Sequence, residues 1–411
     1  MQVSSQGDQE AIVSTLDEVK PDAGREAVLR LVPPQEEAML RQSVAAIAAR
    51  FGRTYFARIT EEGSLPTELW SVLGEGGFLG INIPAQYGGG GFGLSELRVV
   101  AEELAAAGCP MLELVLCQTI AGSVLTRHAT AEQRQRWLPG IAAGQHKLAV
   151  AMTEPDAGTN FRNLTTMAVR DGDAFVLKGT KTYISGVEGA DTILVGARTT
   201  RPGRDDLGLS LFMVDADAAG LQRQYIPVAL RQPEKQWTLY FDDVIVSADR
   251  LIGGENQGLV ALFDGLIPER IMVAALSAGI GRYALDKAVA YAKQRAVWGV
   301  PIGTHQAVAH PLAQAQIELS LAKLMIEKAA ALYDAGLDAS ESANAAKYAA
   351  AEAGIHCLDQ AIQTHGANGL ALEYGLTDLW WLARLFRIAP IPREMILNTV
   401  AERVLGLPKS Y

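Results

Sequence analysis

The sequence predicts an α+β protein with an N-terminal all-α domain, a middle β-barrel or sandwich domain and a C-terminal four-helix bundle. Three observations predict it. Apolar side chains recur at three- and four-residue spacing up to about Gly144. Short alternating runs separated by Gly, Asp and Pro replace them between about Leu148 and Gly253, and alanine-rich amphipathic stretches return from about Asn256. Helices, then strands, then helices in series give segregated layers, not an alternating α/β sheet. At 411 residues the chain also exceeds what one hydrophobic core usually spans.

In chain order, residues 1–30 are polar and aperiodic and read as a loose leader. A helical domain is expected over 31–147. ELRVVAEELAAAG (Glu96 to Gly108) has helical spacing and ends in glycine, with Ser95 as its expected N-cap. TAEQRQRWLPGIAAG opens on Thr130 as a cap and closes on Gly144. Between helical stretches, GGGGFG (Gly88 to Gly93) satisfies G-x-G-x-x-G, but Pro84 precedes it and no strand does, so it reads as a turn. The β domain is expected over 148–253, from AVAMTE, AFVLKGTKTYIS, DTILVGA, LSLFMVDA and TLYFDDVIV. Over 254–411, four long amphipathic segments with short joins suggest an antiparallel bundle, its last helix running through REMILNTVAERVLG. Pro268 is expected to kink the first of them.

A net charge of −10 without any basic run disfavours a nucleic-acid partner. Cys109, Cys117 and Cys357 form no CxxC pair and read as free thiols of a reducing compartment. No stretch approaches the ~18–20 consecutive apolar residues of a membrane span. A soluble cytoplasmic protein without a membrane partner is expected. Walker A, HExxH, zinc-ligand and GxSxG patterns are missing, so no metal is expected.

Two segments carry chemistry. MTEPDAGTN (Met152 to Asn160) combines the hydroxyls of Thr153 and Thr159 with Gly158, where backbone N–H groups can approach a ligand. KTYISG (Lys181 to Gly186) sets an aromatic ring beside another hydroxyl. Alone, either is a turn or strand end. With TLYFDDVIVSADRLIGGENQG, QRAVWGVPIGTHQAV and IQTHGANGLALEY they form five ordered segments that resemble the acyl-CoA dehydrogenases, from about Gln35 to the C-terminus.

The resemblance implies an FAD cofactor. Met152, Thr153, Gly158 and Thr159 would line the flavin ring from the β domain, and Tyr183, Ile184 and Ser185 would cover its other face. Tyr183 stands where the family usually has tryptophan, Thr159 where it has serine, and Ala367 where a second glycine is usual. Arg295 would pair with the pyrophosphate, with Trp298 beside it, and Gln306 and Gln363, Thr364, His365 and Gly366 would hold the rest. In the family Arg295 and Gln306 serve a neighbouring subunit's cofactor, which implies a homo-oligomer, dimer or tetramer. Thr159 and Arg270 would meet the acyl-CoA substrate.

The base is a departure. Removing the α-proton of a thioester needs a carboxylate in a dry pocket, where burial raises its pKa. Most members of the family carry that glutamate near the C-terminus, where this chain reads RIAPIPREM and places Pro390. Isovaleryl- and long-chain-type members carry it on the first bundle helix, where this chain reads IPERIMVA, so Glu269 is the candidate base. Glu394 is the fallback, and Glu373 matches a glutamate read as structural. Pro390 also lacks the backbone N–H that helps hold the thioester oxygen in relatives. The implied activity is α,β-dehydrogenation of an acyl-CoA, with electrons passed to an electron-transfer flavoprotein. A flavin oxidase or monooxygenase on the same fold, or a non-catalytic flavin-binding paralogue in a hetero-oligomer, remain alternatives.

Overall fold

The structure is a computed structural model and describes residues 34–200 and 208–409. The expected leader lies outside the described residues.

The N-terminal region contains helices α1 (Gln35–Ala49), α2 (Gly52–Glu61), α3 (Thr67–Glu75) and α4 (Leu94–Ala106). A π-helical stretch (Leu114–Ala121) then leads into α5 (Gly122–His128), followed by α6 (Ala131–Ala142). GGGGFG is a turn between the short 3-10 segment Ala85–Tyr87 and α4. Thr130 caps α6 as expected, with Gln133 returning the bond to the Thr130 N–H. Ser95 does not cap α4. The cap comes from Asp334, far along the chain, whose carboxylate accepts from Leu94 N (2.8 Å) and Ser95 N (2.9 Å). A Cβ on Gly93 would collide with that carboxylate, so glycine is what lets it in.

The middle region is one eight-stranded sheet: β1 (Leu148–Ala151), β2 (Met167–Asp171), β3 (Ala174–Ser185), β4 (Thr192–Arg198), β5 (Leu209–Asp215), β6 (Leu221–Ile226), β7 (Gln236–Ser247) and β8 (Leu251–Ile252). The strand order is β6-β7-β3-β2-β4-β5-β8, with β1 parallel beside β4. Phe175 on β3 and Phe212 on β5 meet edge to face at 4.9 Å. Three strand spacings separate them, roughly 14 Å in a flat sheet, so the sheet curls around a shared core. Strand β4 is buried on both faces: Ile193, Val195 and Ala197 enter that core, while Leu194 packs with Val124, Trp137 and Leu138 of the helical region.

The C-terminal region has three long helices, α7 (Gly258–Gln294), α8 (Gln306–Asp334) and α9 (Ser340–His365). A small hairpin of β9 (Ala296–Val297) and β10 (Val300–Pro301) joins the first two. The fourth position is filled not by one long helix but by α10 (Thr377–Leu385) and α11 (Arg393–Thr399), the latter continuing as a π turn to Val404. Pro390 and Pro392 lie in the break, where missing N–H groups end helical bonding. Pro268, by contrast, does not interrupt α7. Helix α7 is buried all round from Ile271 to Gly281, so its contacts are small residues. Gly279 abuts Ala105 on α4, and Gly281 abuts Leu319 on α8 and Gly354 on α9. The first and last thirds of the chain thus share one core, with Phe56, Leu97, Met272, Leu319, Leu358 and Leu382 in it.

Candidate active site

The chain leaves β1 into Met152–Asn160, and β3 fixes that loop from below. Lys181 Nζ donates to the Met152 carbonyl (2.9 Å) and to Glu154 Oε1 (2.8 Å), and Thr182 N donates to the Thr153 carbonyl (2.9 Å). Glu154 also accepts from Thr165 N, Thr165 Oγ1 and Thr166 N. Burial alone would raise the Glu154 carboxyl, but the Lys181 charge and these donors outweigh it and hold the group well below the usual carboxylate range. Met152, Thr153 and the Tyr183 segment are therefore brought together by a buried ion pair. Sequence reasoning did not single out Glu154 or Lys181, although each stands inside a motif it did name.

Gly158 and Thr159 are exposed, and a Cβ on Gly158 would meet nothing within 4 Å. No atom of the chain demands glycine there, which leaves the space for a ligand. The β3–β7 register slips between Lys181 and Ile184, and at this bulge Tyr183 adopts φ 55° with 61% of its surface exposed. A non-glycine residue in left-handed backbone, presenting a bare ring, is a feature typical of ligand sites. The Ile184 side chain instead points into the sheet core, so its backbone alone can face a ring stacked there. Ser185 Oγ is bonded to the Gln236 side chain (2.8 Å from Nε2).

The second group sits at helix ends. Arg295 follows the last residue of α7 and is exposed, with no acidic partner among the described residues. In the hairpin turn, Trp298 (φ 51°) and Gly299 (φ 83°) are both left-handed, as a two-residue turn of this kind requires, and Trp298 is 88% exposed. Gln306 is the exposed first residue of α8, where unpaired N–H groups and the helix dipole favour an anion. Gln363 and Thr364 end α9, and Gly366 holds φ 61°, ψ −136°, a region open essentially to glycine alone. His365 turns inward: its ring stacks on Tyr291 at 4.2 Å, and Nδ1 bonds the Ala361 carbonyl (2.7 Å). Burial lowers its pKa, so the ring is neutral packing and its backbone is what remains for a ligand. An open glycine, a bare strained aromatic, an unpaired guanidinium just past the end of α7 and the helix N-terminus at Gln306 fit the ring and pyrophosphate of a flavin dinucleotide.

The acids separate clearly. Glu269 lies one turn after Gly265, whose missing Cβ lets Ile120 and Val124 pack close, so both share the α7 face toward the π-helical stretch. Its side chain is deep in protein yet keeps accessible surface, the combination of a pocket wall and not of a filled core. It makes no hydrogen bond or ion pair with another described residue. Burial pushes its carboxyl up to about 8, against the opposing charges of Arg270 and Lys347. Burial also lowers Arg270, with Glu269 pulling the other way. Glu394 is unlike this: its side chain is 70% exposed and pairs with Arg393 Nε at 3.0 Å. Glu373 lies in the 3-10 turn Leu372–Tyr374. Pro390 sits in the α10–α11 loop after a cis Ala389–Pro390 bond.

Family models of the acyl-CoA dehydrogenase N-terminal, middle and C-terminal domains match residues 34–145, 149–244 and 256–405. Acyl-CoA dehydrogenase FadE12 of Mycobacterium tuberculosis is 48% identical over 382 residues, covering 92% of this chain and 98% of that protein. The crystal structure of acyl-CoA dehydrogenase from Geobacillus kaustophilus superposes with a TM-score of 0.86 at 27% identity, covering 91% of this chain and 99% of that one. A glutaryl-CoA dehydrogenase from Mycobacterium smegmatis in complex with FADH2 gives 0.85 at 25% identity, covering 92% and 96%. With three matching domain families in order and an arrangement of helices, sheet and helices to match, the chain belongs to the acyl-CoA dehydrogenase family of oxidoreductases.

Proposed function

We propose that the chain dehydrogenates an acyl-CoA thioester between Cα and Cβ, with Glu269 as the base and FAD as the cofactor. FAD, when bound, supplies the acceptor for the β-hydride. The residues do the rest. The ionised Glu269 carboxylate takes the α-proton, and the Cα–H electron pair forms the new double bond as the β-hydride leaves. Tyr183, the Met152–Thr159 loop and Ser185 position the flavin, and Arg295, Trp298, Gln306 and the Gln363–Gly366 turn hold its dinucleotide part. Arg270 and Thr159 are assigned to the substrate. Pro390 offers no N–H to the thioester oxygen, so an adjacent backbone donor, or a hydroxyl of the cofactor when FAD is bound, would take that role.

One observation carries this reading: among the described residues, Glu269 is the acid that is deep, unpaired and still accessible. Glu113 and Glu234 are also pushed up by burial, but both are sealed from solvent. A base poised near working pH is what proton abstraction requires.

The apolar residues Ile317, Leu321 and Leu324 form an exposed stripe along α8, and with the bare Trp298 hairpin they support a homo-oligomer in which Arg295 and Gln306 reach a neighbouring cofactor. Electrons then pass to an electron-transfer flavoprotein. Among the described residues no helix is long and apolar enough to cross a membrane. The three free, buried cysteines support a cytoplasmic location.

The test is Glu269→Gln. The variant is expected to keep FAD but to slow anaerobic bleaching of the flavin by acyl-CoA by about 10²–10⁴-fold or more. Full turnover in that variant removes the assignment. Slow reoxidation of the bleached enzyme in air supports a dehydrogenase, and fast reoxidation an oxidase.

A further inference from the structure

We propose that Lys347 is a positioning residue for this reaction, fastening the Ala389–Pro392 loop through the Ile391 carbonyl and facing Glu269 as its counter-charge. The proposal rests on the reading of Glu269 as the base.

Lys347 lies on α9 and is fully buried. Its ammonium donates to the Ile391 carbonyl at 2.6 Å and has no carboxylate within ion-pair distance among the described residues. A buried ammonium with one neutral partner is costly unless another charge lies near. Helix register supplies that charge. Helices α7 and α9 run parallel and touch where a Cβ on Gly354 would come within 2.7 Å of the Ser277 carbonyl. Glu269 precedes Ser277 by about two turns, roughly 12 Å, and Lys347 precedes Gly354 by about two turns, roughly 10 Å, so the two stand at one level. Glu269 is faced by Arg270 on its own helix and by Lys347 from α9. Lys347 in turn is faced by Arg270, Glu269, Glu352 and Glu394.

The same helix holds both ends of the loop. Glu352 accepts from Arg387 (2.5 Å) and Arg393 (3.2 Å), and Arg393 N donates back to the Arg387 carbonyl (3.0 Å). Lys347 grips the middle. The segment where relatives keep their glutamate is therefore held in place without one, beside the base that has moved to α7. One ammonium couples the position of that wall to the charge on Glu269.

The experiment follows flavin reduction by acyl-CoA in anaerobic stopped flow across the pH range, in the full-length FAD-loaded enzyme. Lys347→Met is expected to move the acid limb of the rate profile up by about one pH unit, because the carboxylate loses an opposing charge. Lys347→Arg keeps the charge and is expected to leave the limb in place while lowering the rate at every pH. A residue that only supports the fold would lower melting temperature and rate without moving the limb, and an unmoved limb in Lys347→Met overturns the proposal. If Lys347→Met does not fold, Lys347→Gln is read in the same way. Failure of both neutral variants beside a folded Lys347→Arg assigns the lysine to the fold alone and also overturns it. Glu269→Gln separates the two readings. If that variant still reduces flavin, the base assignment fails; if it is inactive and the Lys347→Met limb has not moved, only the role of Lys347 fails.

Discussion

Replacing Lys181 with methionine removes the cation beneath the Met152–Thr153 segment and leaves Glu154 buried with its charge. The cost follows from the two partners. In the folded chain the Glu154 carboxyl falls from 4.5 to about 2, a preference for the charged form of roughly 3 kcal/mol at about 1.4 kcal/mol per pH unit. The lysine does not share that gain: burial brings its ammonium down to about 8 in spite of Glu154. Desolvation of the pair therefore falls mainly on Lys181, and the pair as a whole contributes less than the carboxylate side suggests. Removing one partner is the expensive change, so Lys181→Met is expected to destabilise the middle domain by about 3–5 kcal/mol. The double variant Lys181→Met with Glu154→Gln is neutral and keeps one acceptor oxygen, which can serve Thr165 while Thr166 N loses its partner. It is expected to recover about 1–2 kcal/mol of that loss. The sign with pH follows from the lowered carboxyl. The Glu154 contribution is present above pH 4.5 and is lost as pH falls through about 2, and Lys181→Met removes most of that dependence. Denaturant unfolding at neutral pH, read by circular dichroism and by flavin fluorescence, measures both variants. A single variant within about 0.5 kcal/mol of the parent refutes the reasoning, as does a double variant no more stable than the single.

Other perturbations probe other levels. Burial pushes Glu113 up to about 8 and Glu234 up to about 7. Their stabilisation of the fold is complete below pH 4.5 and lost as pH rises through those values, so Glu234→Gln should gain about 1–3 kcal/mol at pH 8 and flatten the decline. Equal slopes in urea titrations from pH 5 to 8 count against that (about 1.4 kcal/mol per pH unit and proton is the readable scale). Asp334→Ala removes the acceptor shared by Leu94 N and Ser95 N and should cost about 1–2 kcal/mol, measured by thermal melting. Trp298→Ala deletes an exposed ring in left-handed backbone, so subunit folding should hold while FAD retention and oligomer mass on dilution both fall; unchanged FAD content at matched concentration speaks against the hairpin's role.

Legibility differed from residue to residue. Thr130 was readable as a cap because its partner Gln133 is three positions away. Ser95 was misread because the true cap, Asp334, is joined to α4 by folding alone. Pro390 in RIAPIPREM stands where the resemblance expects the usual base, but neither it nor Pro392 revealed that the last bundle element would divide into α10 and α11. The five motif segments pointed to Tyr183 and Arg295, and the structure gave each the bare surface that a ligand contact needs. Ile184 and His365 look equivalent to their neighbours in those segments, yet pleat and helix phase turn both side chains inward. Lys181 and Lys347 read as ordinary lysines among the 36 basic residues of the chain.

Periodicity and turn residues act between near neighbours, so the amino-acid order by itself determined the run of helices, strands and helices, and its motifs determined the family. Burial and charge sum over atoms brought from everywhere in the chain, so tertiary structure alone decided which of two identical side chains is buried with a raised pKa and which is left at the surface. Glu269 and Glu394 are the same acid, each beside an arginine in sequence. Packing of α7 against α9 and the π-helical stretch raises the first, and an open surface leaves the second paired with its neighbour.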